Sequence, residues 1–173
     1  RGTVTADSFA EGSKLAAFGG VTTVIDFADD DKVSLEKSAN KRRTEMSSMS
    51  IDYALHQGVY GYRDSLREEL MAVKDSGVGT IKLFTTYKNV GYMVEKREEL
   101  KEIFSICKDL NLMVSVHAED DAIISEIDKE WTGSYEPKDH ADLRPAKAEA
   151  EAVKYIAEIA LELDMPIYIV HLS

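Results

Sequence analysis

Three polar residues stand where the sequence pattern calls for dry strands. Lys82 lies inside Thr80-Ile81-Lys82-Leu83-Phe84, His117 follows Met113-Val114-Ser115-Val116, and His171 follows Ile167-Tyr168-Ile169-Val170. In parallel α/β folds the groups that do chemistry collect at the carboxyl ends of strands, where the loops build a site. Imidazoles bind zinc through a neutral nitrogen, and a lysine can ligate only after losing its charge, which burial favours. A neutral amine is also a nucleophile. It can capture carbon dioxide as a carbamate, which turns a cation into an anion able to bridge two metal ions. Each residue also has an ordinary reading. A strand-end histidine is commonly a hydrogen-bonded core residue, and a lysine in a strand is commonly an edge residue whose ammonium reaches water. Three together, on three strands, favour a metal site over the ordinary readings.

Parity sharpens that expectation, because strand residues two apart share a face. Ser115, His117 and Glu119 fall on one face, and Ile167, Ile169 and His171 share one face of their own strand. If the sheet curves into a barrel, those faces can point inward together. Lys82, His117 and His171 are then expected to converge at the carboxyl-end mouth.

The elements that must position them follow a single rhythm. Five segments read as strands by β-branched and apolar enrichment: Thr22–Ala28, Ile51–Tyr60, Thr80–Tyr87, Leu112–Glu119 and Pro166–Ser173. They start near residues 22, 51, 80, 112 and 166, so the first intervals are 29, 29 and 32 residues. That length suits one strand plus one crossover helix, hence a parallel sheet. The helices fall between. Asp7–Gly19 is amphipathic and closes on Gly19-Gly20, and Lys32–Met46 is charged and expected to be mostly solvated. Ser65-Leu66-Arg67-Glu68 reads as a capping box, and Glu95–Asp109 and Asp121–Trp131 follow. Pro145 opens a last helix running to Leu163. The longer final interval holds a surface loop around Trp131–His140.

Composition narrows the function classes. The 173 residues carry Lys+Arg 21 against Asp+Glu 32, a net charge of -11, which repels nucleic-acid backbones and anionic membranes. Hydrophobic residues make up 44%, yet no apolar run is long enough for a spanning helix. One cysteine, Cys107, excludes an intrachain disulfide and fits a reducing, cytoplasmic setting. Neither glycine-rich phosphate-binding pattern occurs, which argues against a nucleotide-binding α/β module. The start at Arg1 and the stop directly after an apolar strand are expected for a segment of a longer chain.

Taken in order, the motifs resemble the dihydropyrimidinase/hydantoinase group of the cyclic amidohydrolases. The likeness rests on Phe9-Ala10-Glu11-Gly12-Ser13, Gly19-Gly20-Val21-Thr22-Thr23-Val24-Ile25-Asp26-Phe27 and Ile51-Asp52-Tyr53-Ala54-Leu55-His56. It continues through Thr80-Ile81-Lys82-Leu83-Phe84-Thr85-Thr86-Tyr87-Lys88, Val114-Ser115-Val116-His117-Ala118-Glu119, Arg144-Pro145, Glu149 to Ala152, and Ile167-Tyr168-Ile169-Val170-His171-Leu172-Ser173. The resemblance implies an incomplete (β/α)8 TIM-type barrel, about strands two to six, with residues 1–173 forming part of the catalytic domain. It implies two divalent metal ions, zinc by ligand chemistry, bridged by N6-carboxylated Lys82, with His117 and His171 on the second ion. Tyr87 corresponds to a tyrosine that donates to the substrate oxyanion. The implied substrate is a small cyclic ureide, with no nucleic-acid or membrane partner, and the implied assembly is a homo-oligomer, a tetramer in the family. The group's His-x-His pair is expected upstream of residue 1, and its metal-binding aspartate and β-sandwich downstream of residue 173. The segment alone is therefore expected to be catalytically silent and to hold metal weakly or not at all. Allantoinase, dihydroorotase and non-catalytic scaffold relatives are the alternatives the same motifs admit. His56 and His140 match no ligand and read as structural or exposed, while Glu119, Asp120 and Asp121 after His117 are candidate acceptors behind the metal ligands, with a solvated acidic turn the favoured reading of the two aspartates.

Overall fold

The computed structural model describes residues 5–173, so the start at Arg1 lies outside it. Five strands, β1 (Thr23–Ala28), β2 (Asp52–Gly58), β3 (Thr80–Phe84), β4 (Met113–His117) and β5 (Ile167–Ile169), form one parallel sheet in the order β1-β2-β3-β4-β5. Each strand pairs with its sequence neighbour; α1 (Phe9–Phe18) precedes β1, and helices make the crossovers: α2 (Leu35–Met46), α3 (Leu66–Asp75), α4 (Arg97–Asp109), and α5 (Asp121–Glu130), α6 (His140–Leu143) and α7 (Ala146–Glu162) between β4 and β5. This is a segment of a (β/α)8 barrel, with β1 and β5 as the two edges among the described residues.

The two faces of the sheet differ because alternate residues differ. Ala28, Leu55, Ile81, Leu83, Val114 and Val116 point to the helices and join Leu70, Ile103, Phe104, Cys107 and Ile156 in the core. Cys107 is fully buried, and burial pushes its thiol up to about 12, so it is an inert core residue. The register puts the other residues on the opposite face. Phe27 pairs with His56, Gly58 with Lys82, Lys82 with Ser115, and Phe84 with His117. That face is dry at its centre, where Lys82 is 4% exposed, and open at its edges, where Ile25 and Tyr168 are more than half exposed. Because β3 is the middle strand, Lys82 cannot be an edge lysine.

Several expectations change. The α2 helix is not mostly solvated: Leu35, Ala39 and Met46 are fully buried on one side, while its charges line the other. No capping box forms at Ser65. Its backbone is already helical, and its hydroxyl donates instead to Glu69 at 2.7 Å, because Glu69 is held in place by Arg63. The strands are shorter than the apolar runs that mark them. The third ends at Phe84, and Tyr87 lies in a turn with φ 70°. Gly19-Gly20 closes α1 as expected, with Gly20 at φ 87°, but the apolar Leu15 and Phe18 of that helix stay exposed.

Candidate metal centre

His117 and His171 meet. Nδ1 of His117 lies 3.0 Å from Nε2 of His171, with ring centroids 4.8 Å apart and planes at 70°. His117 takes its place from the register, as the last residue of β4. His171 does not. Strand parity puts Ile167 and Ile169 on the helical face, packed against the core, and His171 would follow them there. The chain leaves the strand after Ile169, and His171 adopts φ 42°, which turns its ring over the sheet end to His117. The expectation that His171 reaches the inner face by parity is therefore corrected: a left-handed turn brings it there. Ser173, two residues on, is tied to α7 by its hydroxyl, which donates to Glu149 at 2.8 Å.

The other nitrogen of His117 is committed. Nε2 lies 2.5 Å from Oε2 of Glu119, and the same oxygen accepts from the Arg144 guanidinium at 2.8 Å. Burial alone would raise the Glu119 carboxyl. The hydrogen bond from His117 and the charge of Arg144 outweigh burial and hold it below the usual range. The backbone of Glu119 is fixed from β3, since its N–H donates to the Thr85 hydroxyl at 2.9 Å and that hydroxyl lies 2.8 Å from the Glu119 carbonyl. Thr85 is 1% exposed.

Lys82 sits on the same face, two residues below the Phe84–His117 pair. Its Nζ donates to the Leu83 carbonyl at 3.0 Å and lies 3.8 Å from the Phe84 ring centroid. The Phe84 ring in turn is 5.7 Å from the His117 ring, so Phe84 neighbours both groups. Burial pushes the Lys82 amine down to about 7, so a large fraction is neutral near neutral pH. Gly58, beside Lys82 on β2, lets the Tyr60 ring pack against the strand, since a Cβ there would come 2.7 Å from the Tyr60 hydroxyl. Tyr87 stands over the mouth, its ring 5.1 Å from His117 and 5.0 Å from the Arg144 guanidinium carbon.

The remaining candidates are structural. His56 stacks on Phe27 and hydrogen-bonds the Thr80 hydroxyl, and burial first, then the Lys82 charge, lower its pKa. His140 is exposed. Asp120 caps α5 by accepting from Ala122 and Ile123, and Asp121 accepts from Thr86 at 2.8 Å, so the pair is more than a solvated turn. Among the described residues no group of three or more His, Cys, Asp and Glu is arranged around one metal position. The structure brings the two histidines together, and Lys82 lies on the same face with Phe84 between it and His117. Arg144 carries no periodic or spacing signal of its role; its only sequence mark is the Pro145 that follows it.

A single parallel sheet of strand–helix units, with paired histidines at its carboxyl end, defines the class as a barrel segment with a polar mouth. No protein-family model matches the chain. Dihydropyrimidinase from Rattus norvegicus is 35% identical over 175 residues, spanning 98% of this chain and 33% of its own length. Dihydropyrimidinase-related protein 5 from Homo sapiens is 32% identical over 172 residues, spanning 96% of this chain and 30% of its own. The crystal structure of dihydropyrimidinase from Brevibacillus agri NCHU1002 superposes with a TM-score of 0.91 at 36% identity, over 99% of this chain and 38% of that one. D-hydantoinase from Bacillus sp. AR9 superposes with a TM-score of 0.91 at 34% identity, over 100% and 39%. The chain belongs to the dihydropyrimidinase/hydantoinase group. It spans about a third of the length of the curated relatives it matches.

Proposed function

We propose that the protein carrying this chain hydrolyses the ring C–N bond of a cyclic ureide, a dihydropyrimidine or hydantoin, to an N-carbamoyl amino acid. The observation that carries the reading is the 3.0 Å approach of His117 Nδ1 to His171 Nε2 at the carboxyl end of the sheet. Two imidazole nitrogens facing each other share at most one proton between neutral rings. They make a ready pair of donors for a divalent cation.

The residues present fit such an ion. His117 and His171 would hold it, zinc by ligand type, and Lys82 would bridge to a second ion as a carbamate. Bound there, the metal ions would supply Lewis acidity and lower the pKa of water from 15.7 to about 7. Lys82 contributes by being buried: its neutral amine forms an N–C bond to carbon dioxide and loses a proton. Phe84 and the sheet exclude water from that amine. Tyr87 would donate its phenolic proton as a hydrogen bond to the oxyanion that forms at the attacked carbonyl. We further propose that residues 1–173 are part of the catalytic barrel of a cytoplasmic homo-oligomer. Among the described residues no helix is long and apolar enough to cross a membrane.

The test is zinc analysis of the intact protein together with hydrolysis assays on dihydrouracil and hydantoin. Stoichiometric zinc and turnover are expected, with both lost in His171→Ala. A protein without bound metal or turnover would overturn the reading and favour a non-catalytic relative.

A further inference from the structure

We propose that Glu119 and Arg144 are positioning residues for this centre: together they fix His117 with its proton on Nε2, so that the Nδ1 lone pair faces His171. The inference rests on the metal reading above but is carried by its own geometry. A carboxylate only accepts hydrogen bonds, so the His117 nitrogen 2.5 Å from Glu119 Oε2 must be the one carrying hydrogen. In a neutral imidazole the other nitrogen is then bare, and that nitrogen is the one 3.0 Å from His171. A hydrogen-bonded partner behind a ligand histidine selects the tautomer and holds the ring, and its loss commonly weakens metal binding.

Glu119 can serve this way because two other parts of the fold hold it. Thr85, just past β3, clamps its backbone from both sides, at 2.9 Å through the N–H and 2.8 Å through the carbonyl. Arg144 reaches the same carboxylate oxygen from the residue before Pro145, at the entry to α7, with an N–O distance of 2.8 Å. The guanidinium fixes more than the carboxylate, since its carbon lies 5.0 Å from the Tyr87 ring centroid, and Tyr87 is 5.1 Å from His117. One cation thus touches both sides of the mouth, the histidine arm through Glu119 and the tyrosine directly. Arg144 and Glu119 have side chains 23% and 15% exposed, so the pair is shielded without being sealed.

The test reads the tautomer directly. In intact, metal-free protein labelled with nitrogen-15 histidine, at about pH 9 where imidazoles are neutral, His117 is expected to show a protonated Nε2 and a bare Nδ1. Its signals are identified by their loss in His117→Ala. Glu119→Leu is expected to give a mixture of tautomers, while Glu119→Gln, whose carbonyl still accepts, retains the original one. Cobalt(II) affinity, followed by the visible absorption of the bound ion, is expected to fall about tenfold to a hundredfold in Glu119→Leu and to recover in Glu119→Gln. Arg144→Met gives the same readouts, shifted in the same direction, should Glu119→Leu fail to fold. A His117 tautomer unchanged in both Glu119→Leu and Arg144→Met, with normal cobalt uptake by the parent, would overturn the positioning role and leave the metal reading intact. A tautomer that shifts in the variants of a parent that binds no cobalt would overturn the metal reading and leave the positioning of His117 standing.

Discussion

Two arginine–carboxylate networks sit at the carboxyl ends of the same sheet, and they are built differently. Beyond β1 and β2, Arg63 bridges Asp30 and Glu69. Every carboxylate oxygen in that cluster is used: Asp30 also accepts from the Lys32 and Tyr60 backbones, and Glu69 from Ser65 and the Leu35 backbone. Beyond β4 and β5, Arg144 and Glu119 form a chain that passes through His117 and ends on His171, which is exposed. The first network is closed on itself and ties β1, α2 and α3 together. The second ends at the exposed His171, whose Nε2 faces His117. Saturation marks a structural cluster, and an unfinished polar chain at a strand end marks a place for a ligand.

Substitutions can break or sharpen that contrast. The largest effect is expected for Arg63→Ala, which leaves the fully buried Asp30 carboxylate without its cation. Urea unfolding should show a loss of roughly 3–5 kcal/mol with no change in zinc affinity. A loss below about 1 kcal/mol would mean the closed network is not structural.

The same cluster sets an acid dependence. The hydrogen bond from Arg63 holds the Glu69 carboxyl at about 2, below its ordinary 4.5. Its contribution is therefore fully present above pH 4.5 and lost as pH falls toward 2, because the unfolded chain binds the proton more readily. Stability measured across that window should fall steeply in the parent and more gently in Glu69→Gln.

Lys82 is expected to give a mid-sized effect of opposite sign. Its folded pKa of about 7 lies below the ordinary 10.5, so burying the cation costs stability in full below pH 7. Lys82→Met should stabilise the metal-free protein by roughly 1–4 kcal/mol at neutral pH. The gain should shrink as pH rises toward 10.5, where the unfolded lysine also loses its proton. A constant gain across that range, read by chemical denaturation, would show that the amine is not buried. The smallest stability effect belongs to His171→Ala, within about 0.5 kcal/mol, although the same substitution should abolish tight zinc binding in a competition titration.

Much of the fold was legible because strand and helix periods are local. The β3 and β4 runs could be placed from β-branched enrichment, and alternation put Lys82 and His117 on the face away from the helices. Short-range rules failed where a distant group intervened. Ser65 has the residue pattern of a capping box, yet Arg63 claims the carboxylate next door and draws the serine hydroxyl with it. The α2 helix has the composition of a solvated helix, but its few apolar residues lie on one side and the sheet covers them.

The sequence by itself determined the repeating strand–helix units, their parallel order and the inward placement of Lys82 and His117. Nearest-neighbour sterics and burial govern those features, and both are written in residue type and spacing. Only the tertiary structure decided how His171 arrives, because a left-handed φ at one residue overrides the parity of the strand before it. It alone decided that Arg144, 25 positions from Glu119, would share an oxygen with His117. Ion pairs across such separations depend on where the crossovers deliver each side chain, and no local period encodes that.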